Sequence, residues 1–284
     1  MSKQPRSLHG KVIAITGGAR GIGKATAEAL SRAGAVVAIG DLDADLAAEA
    51  AAGLSGNAIG LALDVTDRVG FSAFLDEVET QLGPLYGLVN NAGIMPTGNI
   101  DLEDDATTTR EIAINLHAVI HGTKELIRRA KPRRSGHVIN ISSAAGKISG
   151  AGVATYTATK FAVVGFSESV ALELDATGVD ITVIYPALTK TELISGLKEL
   201  RGVPQIEPSD VADAIVRSFQ NPRFNVPVPR AMGAVMTAYQ ATPWPVRAKA
   251  AKVVKSDSVI SEADQSARAA YEARVARDVA ANRE

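Results

Sequence analysis

Along the first 230 residues, short apolar runs alternate with longer stretches in which apolar side chains recur at helical spacing. KVIAIT (11–16), VVAIG (36–40), AIGLALD (58–64), LYGLVN (85–90), GHVINIS (136–142), VDITVIYP (179–186) and FNVPVP (224–229) read as strands. Between them, helices are expected in KATAEALSRAGA (24–35), ADLAAEAAAGL (44–54), RVGFSAFLDEVETQLG (68–83), a long stretch over 104–130, another over 155–175, and PSDVADAIVRSFQ (208–220). The strands are near-continuous apolar runs, as a parallel sheet covered by helices on both faces requires. The pattern predicts an α/β fold, a three-layer Rossmann-like sandwich with a mostly parallel, doubly wound sheet of seven strands.

The pattern changes near residue 230. ATPWPVRAKAAKVVK (241–255) interleaves Trp244, Val246, Val253 and Val254 with Arg247, Lys249, Lys252 and Lys255, and 261–284 is Ala-rich with mixed charge. Two terminal helices are expected there, because so few large apolar side chains would build a poor independent core. The chain thus divides into a single catalytic-size domain, 1–230, and a helical extension, 231–284.

Composition narrows the functional classes. Lys and Arg number 30 against 31 Asp and Glu, so no net field is available to hold nucleic acid. With no cysteine, disulfides and thiolate chemistry are excluded, and a reducing cytoplasm is the natural location. MSKQPRSLHG has no signal-like apolar core. His9, His117, His121 and His137 have no carboxylate or thiol company at metal-ligand spacing, so no metal site is expected.

The first strand runs into GGARGIG, where Thr16, Gly17, Gly21 and Gly23 give a T-G-x-x-x-G-x-G spacing. Such a turn lets backbone approach a ligand closely, and the N–H groups of the next helix favour a pyrophosphate; glycines serving only close packing are the alternative. Asp41 ends the second strand, where a carboxylate can accept both ribose hydroxyls of an adenosine and repel the 2′-phosphate of NADP; a solvated turn acid in GDLDAD is the alternative. Arg20 pulls the other way, since a guanidinium pairs with phosphate. NAD is favoured over NADP. Asp64 and Val65 are placed to meet adenine, and Asn90, Asn91, Ala92 and Gly93 form a polar turn that either fixes local structure or meets the cofactor directly.

Tyr156 and Lys160 stand four apart in YTATK and share one helix face. A free phenol has a pKa near 10, and a neighbouring ammonium favours its ionised form, which is how such a pair becomes an acid/base at neutral pH. A solvated surface pair is the plain alternative.

In TGGARGIG (16–23), LDV (63–65), NNAG (90–93), Asn115, NISSAAG (140–146) and YTATK (156–160), taken in order, the chain resembles the short-chain dehydrogenase/reductase family over residues 8–229. The resemblance implies that Tyr156 exchanges a proton with the substrate oxygen, and that Lys160 binds the nicotinamide ribose and lowers the Tyr pKa. By the same resemblance Ser143 hydrogen-bonds the substrate oxygen, with Ser142 as competitor, and Asn115 holds the Lys and a relay water. Cofactor contacts are implied for Gly17, Arg20, Gly21, Ile22, Gly23, Asp41, Asp64, Val65, Asn91, Ala92, Gly93, Tyr156, Lys160, Pro186 and Thr191. The family's Pro-Gly appears here as Pro186-Ala187, which is expected to alter the loop slightly.

Ile94, Met95, Ile148, Val153, Leu188, Leu193, Ile194 and Leu197 offer apolar walls, so a hydrophobic alcohol or ketone is the expected substrate; plain core packing is the alternative for these residues. The resemblance implies a homodimer or homotetramer built on the long helices. The basic C-terminal helices either touch a membrane surface weakly or pack over the substrate entrance or a partner subunit. Three classes follow: an NAD-linked alcohol/ketone oxidoreductase, a non-catalytic dinucleotide-binding regulator or scaffold, and another enzyme on this fold that uses tightly held NAD.

Overall fold

In the computed structural model, residues 4–197 and 205–253 are described, together with Ser266, Arg268, Tyr271 and Ala273. Strands β1 (Val12–Thr16), β2 (Val36–Asp41), β3 (Ala58–Ala62), β4 (Leu85–Asn90), β5 (Gly136–Ile141), β6 (Val179–Pro186) and β7 (Asn225–Val228) form one sheet in the order β3-β2-β1-β4-β5-β6-β7. Every neighbouring pair is parallel. The order reverses between β1 and β4, and a crevice opens there at the carboxyl ends of the strands.

Nine helices are described: α1 (Gly21–Arg32), α2 (Ala44–Ala52), α3 (Arg68–Leu82), α4 (Asp105–Ile112), α5 (Ala118–Ala130), α6 (Ala154–Glu173), α7 (Pro208–Gln220), α8 (Met232–Ala241) and α9 (Trp244–Val253). Asp43, Asp67 and Asp104 start α2, α3 and α4 by accepting from the N–H groups of Leu46, Val69 and Thr107. Strand side chains point alternately to the two faces. Ile13 and Ile15 therefore pack with Leu30 of α1 and Val211, Ile215 and Phe219 of α7, while Val12 and Ala14 pack with Phe71 and Leu75 of α3 and Leu126 of α5. Burying one such Leu, Ile or Phe contributes about 1.5–3 kcal/mol. Both faces of the central strands are thus used, which is why they show no polar alternation.

Some boundaries differ from the expectation. Helix α1 begins at Gly21 rather than 24, so the second half of the glycine motif is itself helical. The stretch over 104–130 is a single helical path, but Ala113–His117 within it is a π-helical turn. Helix α8 had no counterpart in the sequence pattern; its Met236 is buried with Val164, Val183 and Tyr185. Helix α9 falls where the basic apolar stretch predicts it. Most of the expected helix over 261–284 lies outside the described residues. No helix among the described residues is long and apolar enough to cross a membrane.

Candidate active site

The glycine turn joins β1 to α1 at the crevice. Gly17 has φ +61°, a left-handed conformation that a side chain would strain. At Gly23 a Cβ would stand against the Gly17 carbonyl oxygen and 2.8 Å from Asn91 Nδ2. With no acidic residue in its first turn, the start of α1 keeps its N–H dipoles available to an anion. The backbone cradle fits a pyrophosphate. The Ile22 side chain is half-buried and packs against the core.

Asn91 holds this cradle in place. Its Nδ2 donates to the carbonyls of Thr16 (3.0 Å) and Gly17 (2.9 Å), and Thr16 Oγ1 accepts from the backbone N–H groups of Asn91 (3.0 Å) and Ala92 (3.1 Å). Asn90 lies deeper, donating to Asn140 Oδ1 at 2.8 Å, while Asn140 donates to Ser167. Both asparagine side chains are thus engaged in fixing structure.

At the adenosine end, Asp41 Oδ2 accepts from the Ala19 N–H at 3.0 Å and Oδ1 from the Asp43 N–H at 3.3 Å. Arg20 is held by Asp43 Oδ2 at 3.1 Å. Asp64 accepts from the N–H and hydroxyl of Thr66, and Val65 packs against the core beside it. Thr191 crosses from the far side: a Cβ on Gly21 would meet its Cγ2 at 3.1 Å. A groove of about 580 Å³ runs between Arg20 and Gly21 on one bank and Thr191, Ile194 and Gln205 on the other. Pro186 ends β6, and Ala187 keeps an ordinary negative φ while donating to the Val228 carbonyl.

The chemical end is assembled from α6, the end of β5 and the π-helical turn. Tyr156 stands beside Ser143, close enough for the serine hydroxyl to ease its ionisation, and Lys160 Nζ lies 5.5 Å from the Tyr156 ring centre and donates to the Ile141 carbonyl at 3.1 Å. Ser142 is turned away, its hydroxyl donating to the Lys160 carbonyl at 3.1 Å. Alternation at the strand end separates the two serines, and Ser143 is the one beside Tyr156. Asn115 is fully buried; it accepts from the Ile94 N–H (2.9 Å) and donates to the Ile94 carbonyl (2.8 Å). A Cβ at Gly93 would lie 3.2 Å from Asn115 Oδ1 and 3.6 Å from Lys160 Nζ, which places Asn115, Lys160 and Gly93 against one another.

Charge in this cluster is set mainly by burial. Burial raises the Tyr156 phenol well above its ordinary range; the Ser143 hydroxyl opposes the rise, and Tyr271 and Glu111 add to it. Lys160 is pulled down to about 8 by burial, against the attraction of Glu111. The expectation that Lys160 leaves the phenol with a depressed pKa therefore does not describe the protein's own groups, because desolvation dominates. Glu111, carried by α4, is pushed up to about 8, chiefly by burial and then by Glu103.

The site mouth carries residues that the sequence pattern does not signal. The Met95 N–H donates to the Tyr271 hydroxyl at 3.0 Å. Arg268 donates to the carbonyls of Leu193, at 2.8 Å, and Met95. Arg268 and Tyr271 are both buried, so these two residues of the extension tie together the loops after β4 and β6. Ile94 and Met95 are buried, Ile148 packs towards Met236, and Val153, Leu188, Leu193, Ile194 and Leu197 are half-buried. Among the described residues no group of His, Asp or Glu is arranged to hold a metal ion. His137 is buried against Phe219, with Nε2 2.8 Å from Thr182 Oγ1.

The sequence matches the short chain dehydrogenase family over residues 11–201. It is 39% identical over 194 residues to a 3-alpha-(or 20-beta)-hydroxysteroid dehydrogenase of Mycobacterium tuberculosis, covering 68% of this chain and 74% of that one. A 3-oxoacyl-[acyl-carrier-protein] reductase of Haemophilus influenzae is 35% identical over 218 residues, covering 73% and 90%. Among solved structures, a 3-ketoacyl-(acyl-carrier-protein) reductase from Brucella melitensis complexed with NADH superposes with a TM-score of 0.72 at 25% identity, over 78% of this chain and 98% of that one. The chain belongs to the short-chain dehydrogenase/reductase family and is an NAD(P)-dependent oxidoreductase of the alcohol/ketone type.

Proposed function

We propose that this enzyme interconverts a hydrophobic secondary alcohol and its ketone, with NAD as the preferred dinucleotide and Tyr156 as acid/base. The observation that carries this reading is the packing of Tyr156, Lys160 and Asn115 into one buried cluster beside Ser143, with Lys160 Nζ 5.5 Å from the Tyr156 ring centre. Bound NAD supplies the hydride acceptor and its reduced form the donor. The backbone around Gly17, Gly21, Ile22 and Gly23 receives the pyrophosphate, Asp41 the adenosine ribose, Asp64 and Val65 the adenine. Asn91, Ala92 and Gly93 line the crevice floor; Lys160 holds the second ribose, and Pro186 and Thr191 border the nicotinamide. In reduction Tyr156 donates its proton to the developing alkoxide while Ser143 stabilises that oxygen. A phenol held protonated by burial suits that donation, and oxidation uses the same atoms in reverse.

Three observations support the finer assignments. Arg20 is engaged by Asp43, and Asp41 faces the glycine turn, an arrangement that disfavours a 2′-phosphate. Ile94, Met95 and Leu193 make the mouth apolar, and the named relatives are a hydroxysteroid dehydrogenase and oxoacyl reductases. The arrangement of Arg268 and Tyr271 supports a division in which residues 1–230 carry the chemistry and the extension shapes the mouth. The test is titration with NAD and NADP followed by a panel of secondary alcohols and ketones, with Tyr156→Phe as control. Tighter binding of NADP, or undiminished turnover by the control, refutes the corresponding assignment.

The lack of cysteine fits a reducing, cytoplasmic setting. Exposed Phe161 and Leu172 on α6 support a homo-oligomer through the long helices. Sedimentation as a monomer would reject it. Exposed Trp244 and Val246 beside Arg247 on α9 support weak contact with an anionic membrane surface, and equal liposome binding by wild type and Trp244→Ser would remove that idea.

A further inference from the structure

One buried titratable group has no place in the proton chemistry above. Glu111 sits one helical turn before Asn115, with no exposed surface. Its Oε1 accepts from Asn115 Nδ2 at 3.3 Å, while Oε2 has no hydrogen-bond partner. Lys160 and Tyr156 act on it from α6, and Glu103 acts on it from the segment before α4. Glu103 is itself held by the hydroxyls of Thr108 and Thr155, each at 2.6 Å. Asn115 joins the two parts: it bonds Glu111 directly and lies with Lys160 Nζ against Gly93.

A buried carboxyl oxygen without a hydrogen-bond partner is costly unless its charge is used. Asn115 needs only an acceptor from this position, and a glutamine would supply one. What a glutamine lacks is a negative charge, and Lys160 is the cation that feels it.

We propose that Glu111 is a positioning residue, the internal counter-charge that keeps the Lys160 ammonium charged as pH rises. Below neutrality Glu111 carries its proton and leaves Lys160 alone. As the solution becomes alkaline the carboxyl loses that proton, and the new anion holds the ammonium in its protonated state. Burial pushes both groups to about 8, so the two titrate over the same range. The same anion disfavours the phenolate of Tyr156, so the cluster resists losing both protons together.

The inference rests on the proposed role of Lys160, and its test separates the two. The Lys160 side-chain 13Cε resonance, assigned by its loss in Lys160→Met, is titrated without dinucleotide in wild type and in Glu111→Gln. Glu111→Gln is expected to move the Lys160 midpoint down by about one unit. NADH affinity, read by fluorescence, should then be equal in the two proteins at pH 6 and fall at a lower pH in the variant. Glu111→Asp should restore part of the shift, which a purely structural role would not predict. Coincident Lys160 titrations in wild type and a folded Glu111→Gln overturn the proposal. A shifted titration with no NADH binding by either protein upholds the counter-charge and removes the cofactor role of Lys160 instead.

Discussion

The backbone N–H of Met95 donates to the hydroxyl of Tyr271 across 176 positions of sequence, at 3.0 Å. With Arg268 on the Met95 and Leu193 carbonyls, this contact ties the extension to the loops after β4 and β6, the proposed substrate mouth. Hydrogen bonds to a charged group are each worth about 1.5–3 kcal/mol. Arg268→Ala is therefore expected to raise KM for bulky ketones about tenfold, with kcat changed much less, and Tyr271→Phe should have a smaller effect in the same direction. Steady-state kinetics on small and bulky ketones check this, and identical constants for both variants would detach the extension from the mouth.

Removing the proposed proton carrier is the sharpest test at the chemical end. Tyr156→Phe should lower kcat by about 10²–10⁴-fold while binding NADH normally. Stopped-flow hydride transfer and fluorescence titration give the two readings separately.

Cofactor choice is expected to reside in Asp41. Asp41→Ala removes an acceptor for ribose and for the Ala19 N–H, and should weaken NAD binding about ten- to a hundredfold while improving the NADP to NAD ratio. Calorimetric titration with both dinucleotides measures it. An unchanged ratio would shift the discrimination elsewhere.

Gly23→Ala would drive a methyl into the Gly17 carbonyl and the Asn91 amide. Loss of NADH binding, together with a lower thermal midpoint, is the expected result, since backbone has to move to admit the methyl. A folded protein that still binds would show that the turn yields more than this packing suggests.

The pH dependence of stability has a definite sign. Glu111 is raised from 4.5 to about 8, so its stabilising contribution is complete below 4.5 and is lost as pH rises through 8. His137, lowered from 6.5 to about 4, acts oppositely: stability is gained as pH rises from about 4 to 6.5. Lys160, lowered from 10.5 to about 8, adds a second gain between those values. The difference between wild type and Glu111→Gln reads the Glu111 contribution together with the accompanying shift of Lys160, which favours the variant at high pH in the same sense. At pH 9 the variant should be more stable by up to a few kcal/mol, at about 1.4 kcal/mol per pKa unit, and the advantage should vanish near pH 4.5. Denaturant midpoints across that range measure it, and a constant difference would contradict the assigned shift.

What the sequence made legible was local. Tyr156 and Lys160 share a face because they are four apart on a helix, and Gly17 and Gly23 lie within a few bonds of the turn they shape. The unbroken apolar runs gave the parallel sheet, because covered faces leave polar residues nowhere to alternate. Glu111 in TTTREIAINLH reads as an ordinary helix acid; only the packing of α4 on α6 buries it. Its one signal is the four-residue spacing to Asn115. Arg268 and Tyr271 act on loops more than 70 positions away, which no short-range pattern encodes. Helix α8 escaped because MGAVMTAYQA has apolar residues on several sides and no capping residue at its start.

The Asn91 stitch across β1 and β4 has a mechanical consequence. Four bonds join the turn and the neighbouring strand end, so the crevice resists hinging along its own length. The seam itself serves as the fixed jaw on which a bound dinucleotide would be laid.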